Sequence, residues 1–539
     1  MPQLPEAVKN LVSQFNLSDG QLGQSTETTI HVDEVASKVA SFYEKIRTVV
    51  EWKEEHLMRR AAIIRKLKRK FVDLNLNNFN NQNEIAESLI LELIRGGHLK
   101  NDKLPESKIE EVQDIINRYI FILKNYPKDK NKKLNLDFYN WFLEVASCEV
   151  EDTLVPSIKE KALIEFMFST MKENIKVSDK IYETEILKKE NTGALIYIAV
   201  QQSLFKLDKP IISYNLLVYK YPKWKKSDEQ FMIGMAQAIV KIWQGIEKDL
   251  ENPLLTKFYS ICEKYDTPFL LLGDILSQEN KLSDKDLLNS EKLESAIKKA
   301  YLKRLSTLKT RIKRAATYST ISIFATKILS LFLLSIILSK IIPGENQNIA
   351  MLTADVLIPT SLMFLMVSSI KKPSDKNLNI VILETIKIVY KKENQDIYEI
   401  KMRQKKGLVI RIMLSLMYAL STFISFGGIY FCFHYFGFPL SSIIINLIFI
   451  ALILFTGTAI SKRAQELIIE EEKESFITFF TDILFLPIQS FGKWISNKWK
   501  KYNAFAVIFN SLIDMPFSIF VEFLEKWRYF IKEKKDEIR

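Results

Sequence analysis

Two charged residues stand inside otherwise apolar stretches of this chain, Lys327 and Asp355. Entering from opposite ends of adjacent helices, and with a rise of ~1.5 Å per residue, they can come within a turn or two in height. Charge held in hydrocarbon is costly and tends to mark an ion or proton pathway. Pro359, Thr353, Thr360 and Ser361 surround Asp355, so a small polar site is conceivable there. The plainer reading, which the sequence favours, starts the first span near Ile328. Lys327 would then snorkel to the inner headgroups and Asp355 would lie near the outer ones.

Other chemistry is absent from the sequence. It contains no G-x-x-x-x-G-K-[ST], G-x-G-x-x-G, H-E-x-x-H or C-x-x-C pattern. The histidines are His31, His56, His98 and His434, too scattered to share a metal. Cys148, Cys262 and Cys432 are odd in number and far apart, so no disulfide framework is implied. No catalytic residue, metal or cofactor is expected.

The elements that must position Lys327 and Asp355 are four long apolar stretches, at about 318–342, 349–370, 408–436 and 441–461. Each approaches or exceeds the ~20 residues that cross a bilayer as a helix. Basic clusters flank them on one side only: Lys309 to Arg314, Lys371 with Lys372, Arg403 to Lys406, and Lys462 with Arg463. The turns at 343–348 and 437–439 carry no Lys or Arg. The positive-inside rule therefore predicts two hairpins, with both termini and the 371–406 loop in the cytoplasm. The first residues lack a basic stretch followed by an apolar core, so no cleavable signal is expected.

The rest of the 539 residues reads as helix. Gly and Pro number only 15 each, which favours long uninterrupted helices. Residues 1–26 suggest a flexible tail. Residues 27–282 form a cytoplasmic helical domain. Its first helix is expected from Thr28 to Phe71 and carries a coiled-coil-like stripe (Val32, Val35, Val39, Phe42, Ile46, Val49). Residues 283–315 form a connecting helix that runs into the first span without a breaker. The fold class is thus all-α: a multi-helix cytoplasmic domain, a four-helix transmembrane domain, and C-terminal amphipathic helices over 462–539. The last lie in the membrane interface, because Asp482, Asp514, Pro487 and Pro516 argue against further spans. Trp494, Trp499, Tyr502, Trp527 and Tyr529 would anchor them at headgroup depth.

The net charge of +12 fits basic helix ends on a membrane protein better than nucleic-acid binding. Arg59, Arg60, Arg65, Lys66, Lys68, Arg69 and Lys70 make an acid-free basic run. It reads first as a solvated face and second as a contact for anionic lipid. On architecture, a membrane-anchored scaffold is favoured, binding partner proteins through 27–282. An oligomeric channel or transporter is the alternative, followed by an enzyme acting at the lipid interface. The Lys-, Ile- and Asn-rich composition suits a bacterial inner membrane.

Overall fold

The computed structural model describes residues 4–21, 28–32, 38, 55–74, 85–184, 186–226, 228–278, 284–331, 349–370, 373, 375–390, 397–401, 407–469, 476–501 and isolated positions beyond 522. Helix dominates them, as the scarcity of Gly and Pro requires. The chain divides into two compact units, an amino-terminal one (Pro5–Asp266 with Gln395–Ile400) and one holding Thr267–Asn394 and Lys401–Asn503.

In the amino-terminal unit, α1 (Glu6–Gln21) is followed by α2 (Glu55–Leu74), α3 (Ile85–Arg95), α4 (Ser107–Asn125), α5 (Lys132–Leu154) and α6 (Ile158–Asn174). After strand β1 (Ile175–Val177) come α7 (Asp179–Glu183), α8 (Lys189–Phe205), α9 (Lys209–Lys220), α10 (Glu229–Leu250) and the start of α11 (Leu255–Leu276). Asn131, Asp208 and Asp228 cap α5, α9 and α10, each accepting main-chain N–H bonds at the helix start. Helix α5 is central and packs on α2, α4 and α9. Its Phe138, Trp141 and Phe142 are buried, and Trp243 of α10 closes on them at 5.7 Å from Phe138 and 6.3 Å from Trp141. This aromatic run is core, as its helical spacing indicates.

Three features depart from the sequence reading. The expected tail is helix α1, whose Val8, Leu11, Val12 and Phe15 are buried and which packs on α6. Their spacing of three and four is an apolar stripe that the nearby Pro and Gly residues obscure. Thr28–Val32 does not begin a helix. It runs extended beside 101–106, with Ile30 N donating to Leu104 O at 2.9 Å and Glu106 N to Thr28 O at 3.1 Å. Consecutive β-branched residues favour that conformation. The remainder of the coiled-coil stripe, Val35 to Val49, lies outside the described residues. Finally, β1 pairs in parallel with β2 (Tyr398–Ile400), a short two-stranded addition to an otherwise helical fold.

In the second unit, the last turns of α11 and α12 (Asp284–Leu287) precede α13 (Ser290–Ser330), a single helix of 41 residues. Asn289 caps it. Then follow α14 (Ile349–Ser368), α15 (Asp375–Tyr390), α16 (Leu408–Tyr435), α17 (Leu440–Ala464) and α18 (Phe476–Lys501). Helices α14, α16 and α17 are long and apolar enough to cross a membrane, with mean hydropathies of 1.8, 1.8 and 2.6. The outer part of the first expected span (332–342), the turn 343–348 and the basic pairs at 371–372 and 403–406 lie outside the described residues.

Helix α16 is built inside out. Leu408, Val409, Phe423 and Phe431 are exposed, whereas Ser421 is buried. A helix that turns apolar groups outward and hydroxyls inward suits lipid, not water. Amphipathic α15 turns Val381, Ile382, Thr385 and Val389 inward and packs on α13. Asn377 at its start is fully satisfied. It donates to Tyr301 Oη at 3.0 Å and Leu467 O at 2.6 Å, and accepts from Ile469 N at 3.0 Å.

Helix α18 covers the first of the two C-terminal stretches for which an interfacial position is expected. It packs along both α16 and α17. Ile488 is buried with Phe433, Ile450 and Leu454, and Gly492 lies so close to α17 that a Cβ there would stand 2.1 Å from Ala451 O. Pro487 has no N–H for the carbonyl of Ile483. That carbonyl accepts from Ser421 Oγ of α16 at 2.7 Å, and the next one, Leu484 O, accepts from Ser425 Oγ. The proline that argued against burial among apolar helices is thus compensated by serines on a neighbour. Trp494 and Trp527 are exposed, as anchors would be. Tyr502, Tyr529 and the side chain of Trp499 lie outside the described residues.

Candidate functional site: a charged cluster between apolar helices

Lys327 and Asp355 meet. Lys327 Nζ lies 2.9 Å from Asp355 Oδ2, and the lysine is only 1% exposed. The ammonium is turned into the packed face of α13, where α14 and α17 both lie against the helix.

Helix α17 completes the cluster. Ser442 and Asn446 stand four apart and so share one face. Ser442 Oγ donates to Asp355 Oδ1 at 2.6 Å, and Asn446 Nδ2 donates to the same oxygen and to Ser442 Oγ. One turn further, the ring of Phe449 lies 5.0 Å from Lys327 Nζ, a cation–π contact. Asp355 Oδ1 thus has two donors, and Oδ2 faces the Lys327 ammonium. Lys327 is less well served, since Asp355 is the one anion facing it and the ammonium makes no hydrogen bond of good geometry among the described residues. Asn446 is fully buried, and its Oδ1 likewise has no described donor.

A small cavity of about 20 Å³, large enough for a water-sized group, is lined by Asp355, Ser442, Phe438 and Pro439. Ser330, Met351 and Ser441 also line it. At the other end of α14 and α17, Met363, Val367, Ile453 and Ile460 pack into an apolar plug with Ile312, Ala316 and Ile323 partly buried against it. Among the described residues, the charged cluster thus has a small cavity on one side and packed apolar side chains on the other. Pro359 follows Asp355 by four residues and leaves the main-chain carbonyl of Asp355 without its helical donor. Thr353 and Thr360, expected near the site, spend their hydroxyls on Ile349 O and Val356 O of their own helix, and Ser361 is exposed.

No family model matches this chain, and neither the curated proteins nor the solved structures contain a significant relative. The chemistry of the cluster therefore stands on its own geometry. A lone carboxylate, a hydroxyl and an amide oxygen are hard donors. Set beside a buried ammonium between apolar helices, they can hold a proton or a small cation.

The basic run on α2 takes a different part. Arg60 is buried and bidentate to Asp208, with Cys148 Sγ at 3.6 Å. Arg59 donates to His98 O at 3.0 Å and lies 3.4 Å from Glu151, and Lys66 pairs with Glu92. These three are committed to the interior of the unit and leave the set offered to lipid. Lys68 is exposed, and the side chains of Arg69 and Lys70 lie outside the described residues. Burial pushes the Cys148 and Cys262 thiols up to about 12, so both stay protonated and unreactive.

Burial also pushes the Glu151 carboxyl up to about 7, against the pull of Arg60 and Arg59. Between its ordinary value of 4.5 and about 7, the folded state holds a proton that the unfolded state has released. Stability is therefore greatest at low pH within this window and falls as pH rises through it. Hydrogen exchange across 132–154, corrected for intrinsic rates, is expected to show about 2 kcal/mol less protection at pH 8 than at pH 5.5, and Glu151→Gln to flatten that slope. Protection that is unchanged, or that grows with pH, would contradict it.

Proposed function

We propose that this chain is a multi-pass integral membrane protein that passes a proton or small cation across the bilayer through the Lys327–Asp355 site. The observation that supports this best is the burial of a charged pair between helices of membrane-spanning length, beside a small cavity. Intramembrane charge of this kind is expensive to keep and is found along ion pathways. The basic residues favour a topology in which α13, α14, α16 and α17 supply four spans, the amino-terminal unit and the 371–406 loop are cytoplasmic, and the Gly437 turn faces outward. The small cavity then lies on the side away from the cytoplasm. On this topology both termini stay cytoplasmic, α18 lies against α16 and α17, and the membrane is a bacterial inner membrane. Copies of the chain can associate around the pathway.

The full chain in liposomes under an imposed proton or alkali-cation gradient tests the reading. Flux is expected above empty liposomes and is lost in Asp355→Asn but kept in Lys68→Ala. Flux equal to that of empty liposomes would remove it.

A second reading makes the amino-terminal unit a scaffold for partner proteins. It is supported by that unit's own closed core, built over some 260 residues around α5 and independent of the apolar helices. Crosslinking in native membranes would test it. A reproducible set of partners held through residues 27–282 is expected, and recovery of the chain alone would count against it. Lys68 remains the described candidate for anionic lipid in the basic run.

A further inference from the structure

The polar atoms around Asp355 are unevenly used, and that imbalance suggests what the site binds. Asp355 Oδ1 already has two donors, whereas two neighbouring groups lack hydrogen-bond partners among the described residues. Lys327 has three N–H groups and a single facing anion. Asn446 Oδ1 is wholly buried with no donor among the described residues. A buried amide oxygen left empty costs on the order of 1–3 kcal/mol. It would be filled by a cation. Asp355 and Ser442 both line the small cavity, and Asn446, whose Nδ2 donates to both, carries the buried Oδ1 that lacks a described donor.

We infer that this cluster is a binding site for a monovalent alkali cation, which takes the place of the Lys327 ammonium beside Asp355. A single carboxylate fits one positive charge, since divalent sites gather several. The same argument fixes what must happen to Lys327. Two cations facing one carboxylate would leave an unpaired buried charge, which is far too costly. The incoming cation M⁺ therefore expels a proton. The salt bridge between Asp355 and the ammonium becomes Asp355–M⁺ beside a neutral lysine amine, and one H⁺ leaves the site. Charge is conserved within the site: one M⁺ enters and one H⁺ departs. Asp355 and Phe449 are the groups described facing Lys327, and Ser442 and Asn446 the polar groups on α17, so among the described residues no second acid faces the ammonium.

The inference rests on the transport reading for its purpose but not for its test. The full chain in lipid nanodiscs is placed in weak buffer at pH 8 with a pH-sensitive dye. It receives LiCl, NaCl or KCl, with choline chloride as the control for ionic strength. At least one alkali salt is expected to release about one proton per chain, saturably, while choline releases none. Lys327→Arg keeps the ion pair but cannot surrender a proton, so its release is expected to vanish. Ser442→Ala removes one oxygen and is expected to raise the half-saturating salt concentration by about tenfold. A merely structural ion pair would give no release with any salt. Equal release from choline and alkali salts, or release that survives in Lys327→Arg, overturns the inference. So does silence from a wild-type chain that elutes as a single species with native tryptophan fluorescence. Proton release without flux in liposomes leaves the cation site standing and removes transport. Asp355-dependent proton flux that needs no alkali cation does the reverse.

Discussion

Replacing Glu149 with Ala is expected to destabilise the amino-terminal unit by about 3–5 kcal/mol. Glu149 is 2% exposed at the middle of α5. It accepts from Tyr119 Oη of α4 at 2.8 Å, from Trp224 Nε1 at 2.8 Å, and from the guanidinium of Arg118. Arg118 in turn donates to Trp224 O at 2.9 Å. One carboxylate thus closes α4, α5 and the turn at Pro222–Lys226 on one another. Alanine would leave a buried phenol and a buried indole with no acceptor and a nearly buried guanidinium without its anion, and each such loss is costly. In thermal unfolding of the full chain in detergent, the midpoint of the amino-terminal unit should fall by on the order of 10 °C. Glu149→Gln keeps an acceptor oxygen but loses the charge, and should fall by roughly half as much. A midpoint unmoved by Glu149→Ala would mean that the packed aromatics alone hold the helices.

The second large effect concerns the pair of Lys327 and Asp355. Asp355→Ala strips the counter-charge from a lysine that is 1% exposed. The packing of α13 with α14 and α17 is then expected to weaken by about 3–5 kcal/mol, whereas the double variant Lys327→Met/Asp355→Leu is expected to lie within about 1 kcal/mol of the wild type. The reason is asymmetric: one partner alone is a buried charge, while both removed leave an apolar helix contact. Thermal inactivation in detergent, followed by size exclusion, measures it. A double variant as unstable as the single one would show that the pair is needed for assembly. A stable double variant that carries no flux would separate the pair's function from its fold.

Much of the fold is legible because helices announce themselves one at a time. The span Ile85–Arg95 before Gly96, Lys209–Lys220 with its early proline, and the apolar stretches from Ile349 onward follow from local pattern alone. Partners are another matter. Arg60 sits 148 residues from Asp208 in the chain, and Lys66 sits 26 from Glu92, so a run that reads as a solvated basic face is in fact half interior. The site divides the same way. A lysine and an aspartate inside apolar stretches stand out against their surroundings. Ser442 and Asn446 do not, because hydroxyls and amides occur freely in membrane helices, and only their spacing of four near the Gly437 turn hinted at a shared face. Which way Lys327 faces depends on how its helix is rotated, and packing fixes that where sequence does not.

The bond between Ser421 and the carbonyl beneath Pro487 bears on how α18 is held. Until α18 meets α16, its main chain carries an acceptor that nothing within its own helix can satisfy, and hydrocarbon offers no water in compensation. Alone in a bilayer, α18 would be a poor guest. The hydroxyls of Ser421 and Ser425 on α16 supply the donors that its own helix cannot. Docking of α18 on α16 therefore satisfies main-chain groups of α18 as well as burying Ile488.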